Sequence, residues 1–364
     1  MDSKIHMILV RVDANPSIGA GHLLRCLALS QSLQSYGVKS TFLVSSNSVK
    51  SIVSRNDFSC DYITVPVFSD YKEEINWVGL QAERLAVKAI ILDGYQFGEH
   101  YRGEMKGMGI PFILFDDENN SGRLYADVII NAVNEALEFG YAHTAPDATL
   151  LLGERYTLLR PEFCLPPSGE YNKRGECLLT FGAADTSSLT LPILKTVVKE
   201  ASNLKPMTIV TGSAYRQLSK LSNYIGKYNA KYSASLELTP RVSHRHSVTN
   251  MRSIYEQSAI AISAAGGTVF ELAAMGVPSI LVVVADNQLS AALEQEKIGW
   301  CITFDARASV PLKQIVSKAN ELWNNENIRQ EMHEKAYNSA IYTGAESLTV
   351  EILKVLNLPV LKIH

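Results

Sequence analysis

Ile260-Ala-Ile-Ser-Ala-Ala-Gly-Gly-Thr-Val-Phe-Glu-Leu-Ala-Ala-Met-Gly-Val-Pro-Ser-Ile-Leu-Val-Val-Val284 runs from one short apolar segment, through paired glycines and a helix-period stretch, into a second apolar segment. Segments 260–263 and 279–284 have the length and composition of strands buried on both faces, so the whole reads as strand, helix, strand. The same alternation recurs along the chain before it. Segments 7–12, 41–44, 89–92, 112–115 and 128–130 show it, as do 177–181 and 207–210. This pattern predicts parallel sheets joined by crossover helices. Between the two sets lies Arg160-Pro-Glu-Phe-Cys-Leu-Pro-Pro-Ser-Gly-Glu-Tyr-Asn-Lys-Arg-Gly175, rich in Pro, Gly and charge and without periodicity. The expectation is therefore two doubly wound, Rossmann-like α/β domains facing a cleft. Residues 1–160 form the first, 161–175 a linker and 176–364 the second, with a last helix near 347–356 that can pack back on the first domain.

The bulk properties narrow the function classes. The 364 residues are 46% hydrophobic and 20% charged, which suits two globular cores and excludes disorder or a coiled coil. With 34 basic and 37 acidic side chains the formal charge is -3, unlike the basic excess of a nucleic-acid binder. The longest apolar run, 277–285, is broken by Pro278 and is too short to span a bilayer, so the chain is not expected to be integral to a membrane. No secretion signal is read at the N-terminus. Cys26, Cys60, Cys164, Cys177 and Cys301 are scattered without metal or disulfide spacing, which suggests a reducing cytoplasm.

Two loops carry chemistry. In Arg11-Val-Asp-Ala-Asn-Pro-Ser-Ile-Gly-Ala-Gly-His-Leu-Leu-Arg25, Gly19 and Gly21 are expected to give the backbone unusual dihedrals and close approach to a ligand, and His22 falls at a helix start. There the macrodipole disfavours an imidazolium, so the ring suits proton acceptance; a tight turn with the ring bonded to backbone is the alternative. The spacing lacks the third glycine of a dinucleotide fingerprint, and no NAD or other cofactor is expected. In the opening stretch, Gly266 and Gly267 leave helix-start amides open to a diphosphate, with Thr268 as a cap and hydroxyl ligand. Glu271 either folds back in a capping box with Thr268 or accepts hydrogen bonds from ribose hydroxyls. In Asp286-Asn-Gln288, the amides suit sugar hydroxyls, and the alternative is that Asp286 and Asn287 cap the next helix. Tyr95, in Leu92-Asp-Gly-Tyr-Gln96, orients a ligand or packs. His244-Arg-His246 and Asp116-Asp117 read as a solvated loop and a strand end, and no metal is expected.

Together these blocks resemble the UDP-sugar hydrolases of the pseudaminic-acid pathway. The resemblance rests on Arg11-Val-Asp, Ile18-Gly-Ala-Gly-His-Leu-Leu-Arg-Cys-Leu-Ala-Leu29, Leu92-Asp-Gly-Tyr95, Asp116-Asp117, Ala126-Asp-Val-Ile-Ile-Asn131 and Leu152-Gly-Glu-Arg-Tyr-Thr-Leu-Leu-Arg-Pro-Glu-Phe163. It continues through Asn250-Met251, Ile262-Ser-Ala-Ala-Gly-Gly-Thr-Val-Phe-Glu271, Gly276-Val-Pro278 and Ala285-Asp-Asn-Gln288, covering roughly residues 7 to 300. That family has the glycosyltransferase-B fold, is similar to the murein N-acetylglucosaminyltransferase, and passes its sugar to water. The resemblance implies release of UDP from UDP-2,4-diacetamido-2,4,6-trideoxy-β-L-altropyranose, a step of polysaccharide biosynthesis. His22 matches the family's water-activating histidine, Tyr95 the tyrosine beside it and Asn287 the amide at the sugar. Asp13, Gly19, Gly21 and Arg25 fall in the first substrate-binding block. Gly266, Gly267, Thr268 and Glu271 match the UDP-holding helix start, with Gln288 beside them and Val248 near the uracil. Gly182-Ala-Ala-Asp-Thr186 departs from the family's Gly-Gly-Ser-Asp-Pro. The alternatives are a glycosyltransferase of the same fold and a non-catalytic nucleotide-sugar binder.

Overall fold

Buried, nearly continuous apolar runs pair side by side into two all-parallel sheets in a computed structural model that describes residues 6–14, 20–53, 60–201, 204, 206–233 and 242–362. The described chain divides into two compact units, residues 6–14, 20–161 and 341–362 in the first and 162–340 in the second.

The first unit contains β1 (His6–Val12), α1 (Gly21–Gln34), β2 (Val38–Ser45), α2 (Ser46–Val53), β3 (Asp61–Val65), α3 (Tyr71–Arg84), β4 (Ala89–Asp93) and α4 (Glu99–Gly107). It continues with β5 (Phe112–Phe115), β6 (Val128–Asn131), α5 (Tyr141–Thr144) and β7 (Thr149–Leu152). The sheet order is β3-β2-β1-β4-β5-β6-β7. Alternation along β1 supplies both faces: Ile8, Val10 and Val12 pack on the α1 side with Leu23 and Leu27, while Leu9 joins Ile90, Leu92, Val78 and Met105 on the other.

The second unit contains β8 (Glu176–Thr180), α6 (Thr190–Glu200), β9 (Met207–Thr211), α7 (Leu218–Ser233), β10 (Val242–His246), α8 (Arg252–Tyr255) and β11 (Ser258–Ala264). There follow α9 (Thr268–Ala274), β12 (Ser279–Val283), α10 (Leu289–Ile298), β13 (Cys301–Asp305), α11 (Leu312–Trp323) and α12 (Glu326–Ser339). Its order, β10-β9-β8-β11-β12-β13, repeats the order of the first six strands of the other unit. His244 and His246 lie on the edge strand β10 rather than in a loop, both within hydrogen-bond distance of the Thr211 hydroxyl at 2.8 and 3.1 Å.

Residues 161–175, expected as a linker, pack on the second unit. Phe163 stacks on Tyr255, Tyr171 donates to the Ala259 carbonyl at 2.7 Å, and Arg252 donates to the carbonyls of Glu162, Leu165 and Pro166. The last helix, α13 (Gly344–Val355), belongs to the first unit. Leu348, Ile352 and Leu353 enter the apolar layer beside α1, and the Thr349 hydroxyl donates to Ser32 at 2.8 Å. A Cβ at Gly344 would lie 2.0 Å from the Thr157 carbonyl oxygen, so this helix start requires glycine.

Candidate active site

In a doubly wound sheet, loops diverge where the strand order reverses, and ligands collect beyond the carboxyl ends there. The reversals fall between β1 and β4 in the first unit and between β8 and β11 in the second. His22 follows β1, Asp93 ends β4, and the Gly266-Gly267 pair follows β11.

At the first reversal, α1 begins at Gly21 with no side-chain cap and no acid in its first turn. A neighbouring strand supplies the missing anion. Asp93, fully buried at the end of four apolar residues, places Oδ1 2.6 Å from His22 Nδ1. Arg25, one turn along α1, clamps both Asp93 oxygens at 2.6 and 2.7 Å and both Asp117 oxygens at 2.7 and 3.2 Å. Burial alone would raise the Asp93 carboxyl, but Arg25 and His22 outweigh it and hold the group below the ordinary carboxylate range. The Asp117 carboxyl is lowered likewise, with Arg25 overcoming the burial penalty. Arg25 Nη2 also lies 3.1 Å from His22 Nδ1. The shorter, charge-assisted contact assigns the proton to Nδ1, because a lone pair there would face an ionised carboxylate. Nε2 is then the accepting nitrogen. The Tyr95 ring stands edge-on to the imidazole, centroids 4.8 Å apart, and its hydroxyl donates to Asp117 at 2.7 Å.

Two residues expected to bind substrate make contacts within their own unit. Arg25, expected among the substrate-binding residues, is engaged by two carboxylates of its own unit. Asp13 is engaged too: Oδ1 accepts from the Ser45 amide at 2.7 Å and the Ser48 hydroxyl at 2.9 Å, and Oδ2 from Arg11 at 2.7 Å. Gly21 needs no unusual dihedral, since its φ is outside the left-handed range and a Cβ there would meet nothing within 4 Å. Gly19 lies outside the described residues. Sequence reasoning missed Asp93 and Asp117 as members of this cluster. The available signal was a carboxylate directly after a buried apolar run, at the end of β4 and again after β5.

At the second reversal the site is mostly backbone. The N-cap of α9 is Gly267, so Thr268 is the first helical residue and caps nothing, and no side chain takes the cap position. Glu271 does not close a capping box either. It accepts a hydrogen bond from the buried Tyr255 hydroxyl at 3.2 Å. Among the described residues, Cβ atoms at Gly266 and Gly267 would have open space, except for the Gln288 amide nitrogen 3.9 Å from the first. Gln288 reaches that position from the short 3-10 turn Asp286–Gln288, and its Oε1 accepts from the Val284 amide at 3.0 Å. Neither Ala285, the N-cap of this turn, nor Gln288, the N-cap of α10, makes a side-chain cap bond. Asn287 is exposed on the turn, and Val248 is half-buried just beyond β10. Asp286 is paired with Arg307 at 2.5 Å.

The departing loop after β8 is held by Asp185, whose two oxygens accept from the Leu189 and Thr190 amides at 2.9 Å each and so cap α6. Asp185 has φ 44°, a left-handed conformation that an Asp tolerates through such local bonds. Among the described residues no group of three or more His, Cys, Asp or Glu could hold a metal ion, and no helix is long and apolar enough to cross a membrane.

Comparison with known proteins places these sheets in a family of folds. The model of the glycosyltransferase family 28 C-terminal domain matches residues 191–348. An uncharacterized protein of Methanocaldococcus jannaschii is 23% identical over 78% of this chain, and the chain spans only 56% of that protein's length. The UDP-2,4-diacetamido-2,4,6-trideoxy-beta-L-altropyranose hydrolase of Campylobacter jejuni is 25% identical over 61% of this chain and 75% of its own. The crystal structure of Acinetobacter baumannii MurG, 18% identical, superposes with TM-score 0.64 over 96% of this chain and 100% of its own. The two parallel-sheet α/β units are those of the glycosyltransferase-B fold.

Proposed function

We propose that the chain hydrolyses a UDP-sugar, with water attacking C1 and UDP leaving. The observation that carries this reading is the charge balance around His22. Two ionised carboxylates, Asp93 and Asp117, face one guanidinium, so with a neutral imidazole the hydrogen-bonded cluster has one uncompensated negative charge. Protonation of His22 balances it. Such a cluster is built to take a proton and would repel a diphosphate, which fits a general base and not an anion site. Asp93 fixes the tautomer and ring orientation, leaving Nε2 to accept the water proton. Tyr95, edge-on to the ring, orients water or sugar beside it.

The anion belongs in this reading to the second unit, where the amides at Gly266, Gly267 and Thr268 start α9 without a side-chain cap. These stabilise the departing diphosphate, Glu271 accepts from the ribose hydroxyls, Val248 lies near the uracil, and Asn287 and Gln288 meet the sugar. Similarity to the Campylobacter hydrolase supports a 2,4-diacetamido-2,4,6-trideoxy sugar as the transferred group. The test is incubation with UDP-sugars and no acceptor. Release of UDP with free sugar of inverted anomeric configuration supports the reading, and a retained anomer in fresh product would sink the single displacement. The match to a glycosyltransferase domain favours a second reading, transfer to an acceptor hydroxyl deprotonated by the same histidine. Turnover only when an acceptor is added selects that one. Tight UDP binding without turnover on any donor selects a non-catalytic binder.

A further inference from the structure

We infer that Arg25 and Asp117 are positioning residues that set, from behind and in opposite directions, the pH range over which His22 accepts a proton. The inference rests on the reading of His22 as the base. Three groups lie in sequence on the geometry: the ring, the Asp93 carboxylate that holds its Nδ1, and the Arg25 fork that holds both Asp93 and Asp117. Arg25 is also stacked over the Phe115 ring, its guanidinium carbon 4.9 Å from the centroid, so planar packing fixes the fork.

Among the described residues, the titratable groups facing this cluster come from a few elements. From α1 come His22, Arg25 and the Cys26 thiol, which donates to Asp93 at 3.4 Å and which burial and Asp93 together keep protonated. From β4 and its loop come Asp93 and Tyr95, and from the loop after β5 come Asp116 and Asp117. Asp116 is turned to other partners: it accepts from Tyr141 of α5 at 2.6 Å and from the Asn119 amide at 2.7 Å, and it interacts with Arg102 of α4. Among these groups Arg25 therefore carries the permanent positive charge bonded to the Asp93 and Asp117 pair, and Asp117 takes half of its hydrogen-bonding capacity away from Asp93. Removing the cation leaves Asp93 a stronger partner for an imidazolium. Removing the Asp117 charge commits Arg25 to Asp93 and weakens the case for an imidazolium. A residue that merely holds the fold has no reason to move proton uptake in a signed way.

The experiment compares wild type with Arg25→Met, Arg25→Lys and Asp117→Asn, reading both the acid limb of the pH profile for UDP release and the His22 ring titration by proton–carbon NMR. Arg25→Met is expected to move the limb and the ring titration up by about one pH unit, and Asp117→Asn to move both down by less. Arg25→Lys, which keeps the charge and loses the fork, is expected to stay near wild type in pH dependence while lowering kcat. Displacement of the two variants in the same direction, or none in either, overturns the inference. The NMR arm needs no turnover, so absence of hydrolysis defeats the reading of function without touching this comparison. Where Arg25→Met does not fold, Asp117→Asn alone decides, and a titration that fails to move down overturns the inference.

Discussion

The two units share a strand order and differ in what they put at the point where it reverses. In the first unit β4 ends in a fully buried aspartate, and the space beyond it is filled by ionised side chains bonded to one another. In the second, β11 ends in Ala264 followed by Ala265, Gly266 and Gly267, and among the described residues the space at this glycine pair is approached only by the Gln288 side chain. A parallel sheet delivers loops to the same place whatever their sequence, so chemistry is decided by a few residues after each strand. Side chains that can change charge suit proton transfer. Fixed amide dipoles suit an anion that comes and goes, since they need no counterion when it leaves.

The largest effect is expected at the residue that gives the first unit its chemistry. His22→Asn should lower the rate of UDP release by about 10² to 10⁴ and leave the Kd for UDP nearly unchanged by calorimetry. If affinity fell as far as rate, the division between the two reversals would be broken, because His22 would then be part of the anion site. Next comes Asp93→Ala, which leaves the His22 ring without its anchor and Arg25 with one carboxylate. Breaking a buried pair in this way should destabilise the chain by about 3 kcal/mol, read as a lower urea midpoint. The Asp93 carboxyl is held below its ordinary value, so its contribution is complete above the unfolded carboxylate range near pH 4 and is lost as pH falls toward the folded value. The midpoint gap between wild type and Asp93→Ala should accordingly narrow as pH falls below about 4.

A matched pair of substitutions tests the backbone side. Among the described residues a Cβ at Gly21 or Gly267 would meet nothing within 4 Å, so both positions have room for the first atom of an aspartate side chain. Gly267→Asp should fill the anion position with a fixed carboxylate and weaken UDP binding by about tenfold. Gly21→Asp should leave UDP affinity within about twofold, since by the same helix-start logic it acts only where the diphosphate sits. The reverse pattern would exchange the roles assigned to the two units.

How far the sequence showed this depended on burial. The nine strands legible as apolar runs include every central strand of both sheets, where both faces are covered and hydrophobicity is continuous. The four that escaped, β3, β7, β10 and β13, are the four sheet edges. There one side faces away from the core, and sequences such as Asp61-Tyr-Ile-Thr-Val65 and Val242-Ser-His-Arg-His246 alternate with polar residues. The candidate site followed a similar rule. His22 was visible because glycines and a helix start surround it, whereas Asp93 belongs to the cluster through a contact 71 residues away along the chain that no local pattern encodes. Thr268 and Glu271 have capping-box spacing, yet Gly267 takes the N-cap and moves Thr268 one position too far into the helix for its hydroxyl to serve.

The Glu271 carboxylate, outside any capping box, sets the smallest and most selective prediction. It accepts a hydrogen bond from the buried Tyr255 hydroxyl, which steadies the carboxylate. An ionised carboxylate that meets two vicinal hydroxyls should prefer UDP to 2′-deoxy-UDP, and Glu271→Gln, which replaces one acceptor oxygen by a donor, should erase that preference. The expected loss in UDP affinity is about three- to tenfold, the range of one or two hydrogen bonds to a charged group in partly wet surroundings. Tyr255→Phe should change the preference less, because it removes only the steadying contact. A wild-type protein that bound the two nucleotides equally would return Glu271 to a purely structural role, joining it to Asp13 and Asp185 among the acids that fasten the chain to itself.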